Sequence, residues 1–176
     1  MRMLEQYYPY EYADSVFDID YVKLYSLGYR AILFDIDNTL VHHNDDATPE
    51  IEELFREIHS IGLKTLLLSN NDEARVKRFI RNIDTQYLCD ADKPNPEAYW
   101  RAAELLGVGK KEAIVIGDQM FTDILGANNA GMPSILVHYI TVPGEKWIGA
   151  KRYIEKAVLR LHRKSRYSHR FGKILK

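Results

Sequence analysis

The stretch AILFDIDNTLVHHN, residues 31–44, places two carboxylates, Asp35 and Asp37, two residues apart at the end of an apolar run. Close carboxylates repel, and burial disfavours their charged forms, so a cluster of them calls for a cation. Other reactive side chains recur at the same place relative to later apolar runs. Ser69 and Asn70 follow KTLLL, Asp92 and Lys93 follow QYLC, and Asp118 follows EAIVIG, with Thr122 and Asp123 just beyond. Asp35 and Asp118, together with water and a phosphate oxygen, suit Mg²⁺, a hard ion that takes oxygen ligands. A hydroxyl (Ser69), backbone amides at a helix start and a lysine (Lys93) beside that ion make a place for a phosphoryl group. One aspartate can attack phosphorus, and the other can protonate the leaving oxygen and later activate water.

Such residues converge only if the elements before them are aligned. The runs 31–35, 64–69 and 112–118 and the segment 133–139 read as strands, with a short third strand near 86–90. Between them, 48–62, 71–83, 95–107 and 121–131 read as helices. Thr48 and Asn95 are N-caps followed by proline at N1, and Gly62, Gly107 and Gly131 close helix ends. Alternating strands and helices with short connections predict βαβ units and a mostly parallel sheet covered on both faces. In such sheets the site lies beyond the carboxyl ends of the strands, where every candidate above falls. The fold class is therefore α/β, a Rossmann-like three-layer sandwich. The organisation reads as an aromatic-rich extension over residues 1–30, a core over 31–145 and a basic helix or tail over 146–176, all in one unit.

Length and composition agree. The 176 residues are enough for one domain with a real core, and 46% hydrophobic with 28% charged residues is ordinary for a globular chain. A single cysteine, Cys89, excludes an intramolecular disulfide and fits a reducing compartment; it reads as buried packing. No apolar run approaches the ~20 residues of a membrane span, and the N-terminus lacks a secretory signal core. A cytoplasmic protein, at most peripheral to a membrane, is the expectation.

The motifs DIDNTL, LLLSNN, DKPNP and VIGDQMFTDI, in that order, resemble the four motifs of the haloacid dehalogenase (HAD) superfamily over about residues 31–140. The resemblance implies that Asp35 is the nucleophile and Asp37 the general acid/base. An aspartate at the latter place marks phosphatases, where P-type ATPases carry threonine. It implies further that Thr39 orients the loop, that Ser69, Asn70 and Lys93 bind phosphate, and that Mg²⁺ is held by Asp35, Asp118 and the main-chain carbonyl of Asp37. Asp123 would steer Lys93 or a metal-bound water from behind. Thr39 to Ser69 is an interval of 30 residues and Asn70 to Lys93 one of 23, each filled by a helix and a strand, which leaves no room for a cap domain. An open, capless site of the type III kind implies a large phosphate monoester as substrate. The N-terminal stretch PYEYADSVFDIDYVKLYSLGYRAILFDIDNTLV, residues 9–41, resembles the YqeG group of type IIIA phosphatases, a group similar to mitochondrial phosphatidylglycerophosphate phosphatases, which implies a phosphate on a lipid head group.

The net charge of −1 hides a split. Residues 151–176 carry ten Lys or Arg and one acid, Glu155, which leaves 14 basic and 24 acidic residues in 1–150. The body is near −10 and the tail near +9. Ile154, Val158 and Leu161 stand at helical spacing among these cations. Three readings stand: an amphipathic helix for an anionic membrane, a phosphate-contacting arm for RNA, or a tail lying across its own acidic body. The tyrosines at 7, 8, 10, 12, 21, 25 and 29 read as packing against the sheet edge or as a rim beside the open site. His42 and His43 read as solvated loop residues, Trp100 as core, and Trp147 equally as core or interface. The rival to an enzyme is a non-enzymatic module that senses phosphate or associates with RNA or the ribosome.

Overall fold

A computed structural model describes residues 2–144 and 150–176 of the chain, and Trp147 lies outside them. In chain order the elements are α1 (Arg2–Glu5), β1 (Glu11–Ala13), α2 (Tyr21–Ser26), β2 (Ala31–Phe34), α3 (Pro49–Ile61), β3 (Lys64–Leu68), α4 (Glu73–Phe79), β4 (Gln86–Leu88), α5 (Pro96–Leu106), β5 (Ala113–Gly117), α6 (Leu125–Ala130), β6 (Ser134–Val137) and α7 (Ala150–Arg163). A 3₁₀ turn at Val16–Asp18 precedes α2, and a π-helical turn at Met120–Ile124 precedes α6.

The strands form one sheet, parallel throughout, in the order β1-β6-β5-β2-β3-β4. Strands β2, β5 and β6 are buried at every position, as a parallel sheet covered on both faces requires. Helices α2, α3 and α4 pack on one face through Leu24, Ile51, Leu54, Phe55, Ile58, Val76 and Phe79. Helices α5 and α6 cover the other through Tyr99, Ala102, Leu106, Ala127 and Ala130.

Local chemistry sets the boundaries. The Thr48 side chain accepts from the Ile51 N–H, and Gly62 at φ 101° turns the chain out of α3, a conformation that favours glycine. The Asn95 side chain accepts from Glu97 N–H at the start of α5. Some expected helices are shorter. The region 71–83 narrows to Glu73–Phe79 because Asp72 is the cap, and 121–131 opens with the π-helical turn.

Both chain ends are tied to the body. Glu11–Ala13 adds strand β1 to β6, within the segment read as an extension. The Asp20 N–H donates to Ile174 O and Lys176 N–H to Asp18 O. Tyr10 and Tyr29 rings contact Phe171, and Tyr8 contacts His162, so these tyrosines pack the sheet edge and the tail. The basic helix α7 docks on the body with Val158 and His162 buried, while Ile154 and Leu161 are 55% and 52% exposed. The docked face is thus rotated from the apolar stripe read in sequence. Trp100 is also not core: it is 45% exposed, with its indole N–H donating to Ala130 O. Among the described residues no helix is long and apolar enough to cross a membrane.

Candidate active site

The strand order reverses between β2 and β5. The chain runs from β2 outward to β3 and β4, then crosses through α5 to the other side of β2. A crevice at such a switch point is where open α/β sheets bind ligands. The register pairs Phe34 with Ile116, and Asp35 N–H donates to Ile116 O at 2.9 Å. Asp35 and Asp118 therefore leave neighbouring strands side by side.

Both are buried, and with Asp123 they bring carboxylate oxygens within 4.8 Å of one another. Thr39 Oγ1 lies 3.2 Å from Asp35 Oδ2 and 3.2 Å from Asp118 Oδ1, bridging the two. Lys93 Nζ donates to Asp35 Oδ1 at 2.6 Å and to Asp123 Oδ1 at 2.7 Å. Asp123 is held on its other oxygen by Gln119 N–H at 3.0 Å. A Cβ on Gly117 would collide with the Asp123 carboxylate, so glycine at the end of β5 is what lets Asp123 reach Lys93.

Burial pushes the Asp35 carboxyl up to about 6 despite Lys93, and pushes Asp118 up to about 8 with help from Asp35 and Asp123. The cluster carries more negative charge than Lys93 balances. Three carboxylates that close form a hard-oxygen donor set that fits a divalent cation such as Mg²⁺.

Asp37 points elsewhere. Its carboxylate accepts from Arg75 Nη2 at 2.8 Å, Asn71 Nδ2 at 2.6 Å and Asn44 N–H at 2.9 Å. Burial raises its pKa, but these hydrogen bonds outweigh it and hold the carboxyl below its ordinary value. Ser69 is buried, and its Oγ accepts from Asn71 N–H at 3.1 Å. It caps this turn rather than helix α4, whose cap is Asp72. The Asn70 side chain brackets the Lys93 backbone, accepting from its N–H at 2.8 Å and donating to its carbonyl at 3.3 Å. These groups line a cavity of about 160 Å³ with Asn38, His43, Gln119 and Thr122. His43 is exposed, with Nδ1 3.6 Å from Asp37.

Two arginines at the site escaped the sequence reading. Arg75 was only one of several cations on α4. Arg152 belonged to a tail read as a uniform basic surface, yet its Nη1 donates to Asp118 O at 2.6 Å and its Nη2 pairs with the Asp118 carboxylate. Glu155, the tail's single acid, pairs with Arg152 at 2.9 Å and accepts from Met120 N–H. An acid three residues after Arg152 is the available signal, and it is weak.

Residues 42–131 match the haloacid dehalogenase-like hydrolase family. That span is just over half of the chain and contains Ser69, Asn70, Lys93, Asp118 and Asp123. The chain belongs to the haloacid dehalogenase-like hydrolases. It is a phosphatase of the HAD type. It is 38% identical over 137 residues to the probable phosphatase YqeG of Bacillus subtilis, covering 77% of this chain and 80% of that protein. It is 26% identical to the pyrophosphatase PpaX of Bacillus cereus, covering 85% and 78%. In fold it is similar to an uncharacterized protein from Listeria monocytogenes (TM-score 0.53, 18% identity, 77% of this chain and 99% of that one). A HAD phosphatase from Thermococcus onnurineus is alike to a similar degree (TM-score 0.51, 16% identity, 74% and 97%). Consistent with the short intervals between motifs, a single helix connects β2 to β3, another β3 to β4, and another β4 to β5, so the HAD core has no inserted cap there.

Proposed function

We propose that the chain is a Mg²⁺-dependent phosphomonoester hydrolase working through an aspartyl-phosphate on Asp35, with a large substrate such as phosphatidylglycerophosphate. The observation that carries this reading is the buried cluster of Asp35, Asp118 and Asp123 around Lys93 at the β2–β5 switch point. Residues 31–145 are the phosphatase core in this reading, with the described residues of 1–30 and 146–176 packed on it.

Asp35 is the nucleophile: its carboxylate faces the cavity, and Thr39 and Lys93 fix its rotamer. Lys93 offsets the charge that would oppose attack on a phosphate dianion. Ser69 and the turn after β3 bind the phosphoryl oxygens, and Asn70 positions Lys93 through its backbone. Asp123 holds the Lys93 ammonium from behind. Asp35, Asp118 and the Asp37 carbonyl would hold the ion, which when bound neutralises the carboxylates and polarises a phosphate oxygen. Asp37 gives a proton to the leaving oxygen and then takes one from water. Its hydrogen bonds keep it ionised here, the form needed for the second step; the first needs it protonated and released from Arg75.

The open rim supports a large substrate. The outward face of α7 exposes Tyr153, Ile154 and Leu161 among lysines and arginines, the composition that suits an anionic bilayer surface. Phosphate release from phosphatidylglycerophosphate in anionic vesicles, compared with a soluble aryl phosphate, tests this. Mg²⁺-dependent release from both is expected. Release from the aryl phosphate alone would keep the phosphatase and discard the lipid. Phosphate binding without turnover of either would favour the sensing module.

A further inference from the structure

We infer that the groove under α7 is the leaving-group subsite of this phosphatase, built for an alcohol that carries a second phosphate. The inference rests on the phosphatase reading above and assigns the part of the substrate that the strand-end residues do not touch.

The groove is a cavity of about 200 Å³ between α7 and the ends of β1 and β6. Asp118 is among its lining residues and is also one of the three clustered carboxylates, with Arg152 paired to it. Its lining is apolar at Tyr12, Leu136 and Leu159 and cationic at Lys156, Arg160 and Arg163, the last three and Leu159 all on α7. The acids on hand are already committed. Glu155 gives one oxygen to Met120 N–H and the other to Arg152, and Asp118 is paired with Arg152. Arg163 lies over the Tyr12 ring at 5.1 Å. Among the described residues, neither Lys156 nor Arg160 has a carboxylate at ion-pairing distance.

A groove whose two carboxylates are both paired with Arg152, and whose further cations outnumber them, is complementary to an anion. Arginine and lysine together favour phosphate, which takes both a guanidinium fork and a point charge. The helix fixes the reach. Lys156 stands one turn beyond Arg152, about 6 Å along the axis, and Arg160 about 12 Å. A second phosphate at Lys156 would thus sit about one helical turn from the guanidinium that pairs with Asp118, with the linker carbons against Leu136 and Leu159. With no cap between the motifs, this groove is a feature among the described residues that can read a leaving group.

The test uses the full chain and the double variant Lys156→Ala/Arg160→Ala, both positions being exposed on α7. Substrates are propane-1,3-diyl bisphosphate and p-nitrophenyl phosphate, whose leaving group has no second phosphate. The variant is expected to lose at least about tenfold in kcat/KM on the bisphosphate, the scale of lost charge-assisted hydrogen bonds, and to stay near wild type on the aryl phosphate. Unchanged bisphosphate kinetics, or an equal loss on both, would overturn the inference. Calorimetric titration of Asp35→Asn protein with the bisphosphate and with propyl phosphate separates this from the broader reading. Tighter binding of the bisphosphate that vanishes with Lys156 and Arg160 supports the subsite even if no ester is turned over. Equal affinity for the two overturns it even in an active phosphatase.

Discussion

Arg152 of α7 lays its guanidinium on Asp118, the carboxylate that follows β5: Nη1 donates to the Asp118 carbonyl at 2.6 Å, and Nη2 pairs with the carboxylate. A side chain from the basic tail thus neutralises a residue assigned to hold the metal. Any cation at Asp118 must share that carboxylate with Arg152 or displace it. Arg152→Ala is therefore expected to bind Mg²⁺ about tenfold more tightly, given how strongly close charge pairs couple. The readout is the midpoint of a Mg²⁺ titration of thermal unfolding. A weaker midpoint would make Arg152 an orienting partner of Asp118 and not its competitor.

Asp37 and Arg75 govern the proton. Three donors hold the Asp37 carboxyl below its ordinary pKa against the opposing effect of burial. Removing the guanidinium in Arg75→Ala raises it. If Asp37 protonates the leaving oxygen, the limb of the kcat/KM profile that it sets moves to higher pH, by about one unit, the usual effect of losing a close opposite charge. A limb that stays in place would take that proton away from Asp37.

Gly117 and Asp123 show how tightly the strand end is fitted. Gly117→Ala would drive a methyl into the Asp123 carboxylate and pull Asp123 from Lys93. Misplacing a positioned charge by about 1 Å costs on the order of 100-fold in kcat. The variant is expected to keep its circular dichroism spectrum and lose activity on that scale. Near wild-type kcat would mean that Asp123 has no part in positioning Lys93.

His162 couples the docking of α7 to pH. It is buried against the Tyr8 ring, with Nε2 3.2 Å from Tyr167 O. Burial lowers its pKa from the ordinary 6.5. Its folded pKa lies below the unfolded one, so its contribution is complete above 6.5 and is lost as pH falls through the folded value. Thermal stability should drop as the pH falls below the ordinary 6.5, and His162→Gln should lessen the drop. An identical acid profile in the variant would remove His162 from the account.

The central strands, their order of helices and the motif residues were legible because each signal is local. Apolar runs, a Thr48–Pro49 start and a Gly62 stop are read within a few residues. Strand β1 was not legible: Glu11–Ala13 is three residues long and gains its identity from pairing with β6, more than 120 positions away. The same holds at the site. Asp35, Lys93 and Asp118 stand out by following strands, whereas Arg75 and Arg152 matter only through partners distant in sequence. The face that α7 docks is likewise set by Asp118 and Met120 N–H, which attract Arg152 and Glu155, rather than by the apolar stripe of Ile154, Val158 and Leu161.

The claim that Asp35 carries the phosphoryl group is tested most directly by acid-quenching the enzyme during turnover of p-nitrophenyl phosphate with Mg²⁺ and mapping its peptides by mass spectrometry. A phosphoryl adduct on the peptide containing Asp35, absent with EDTA and absent in Asp35→Asn together with activity, is the predicted result. Sustained hydrolysis by Asp35→Asn, or an adduct on another residue, would contradict the account.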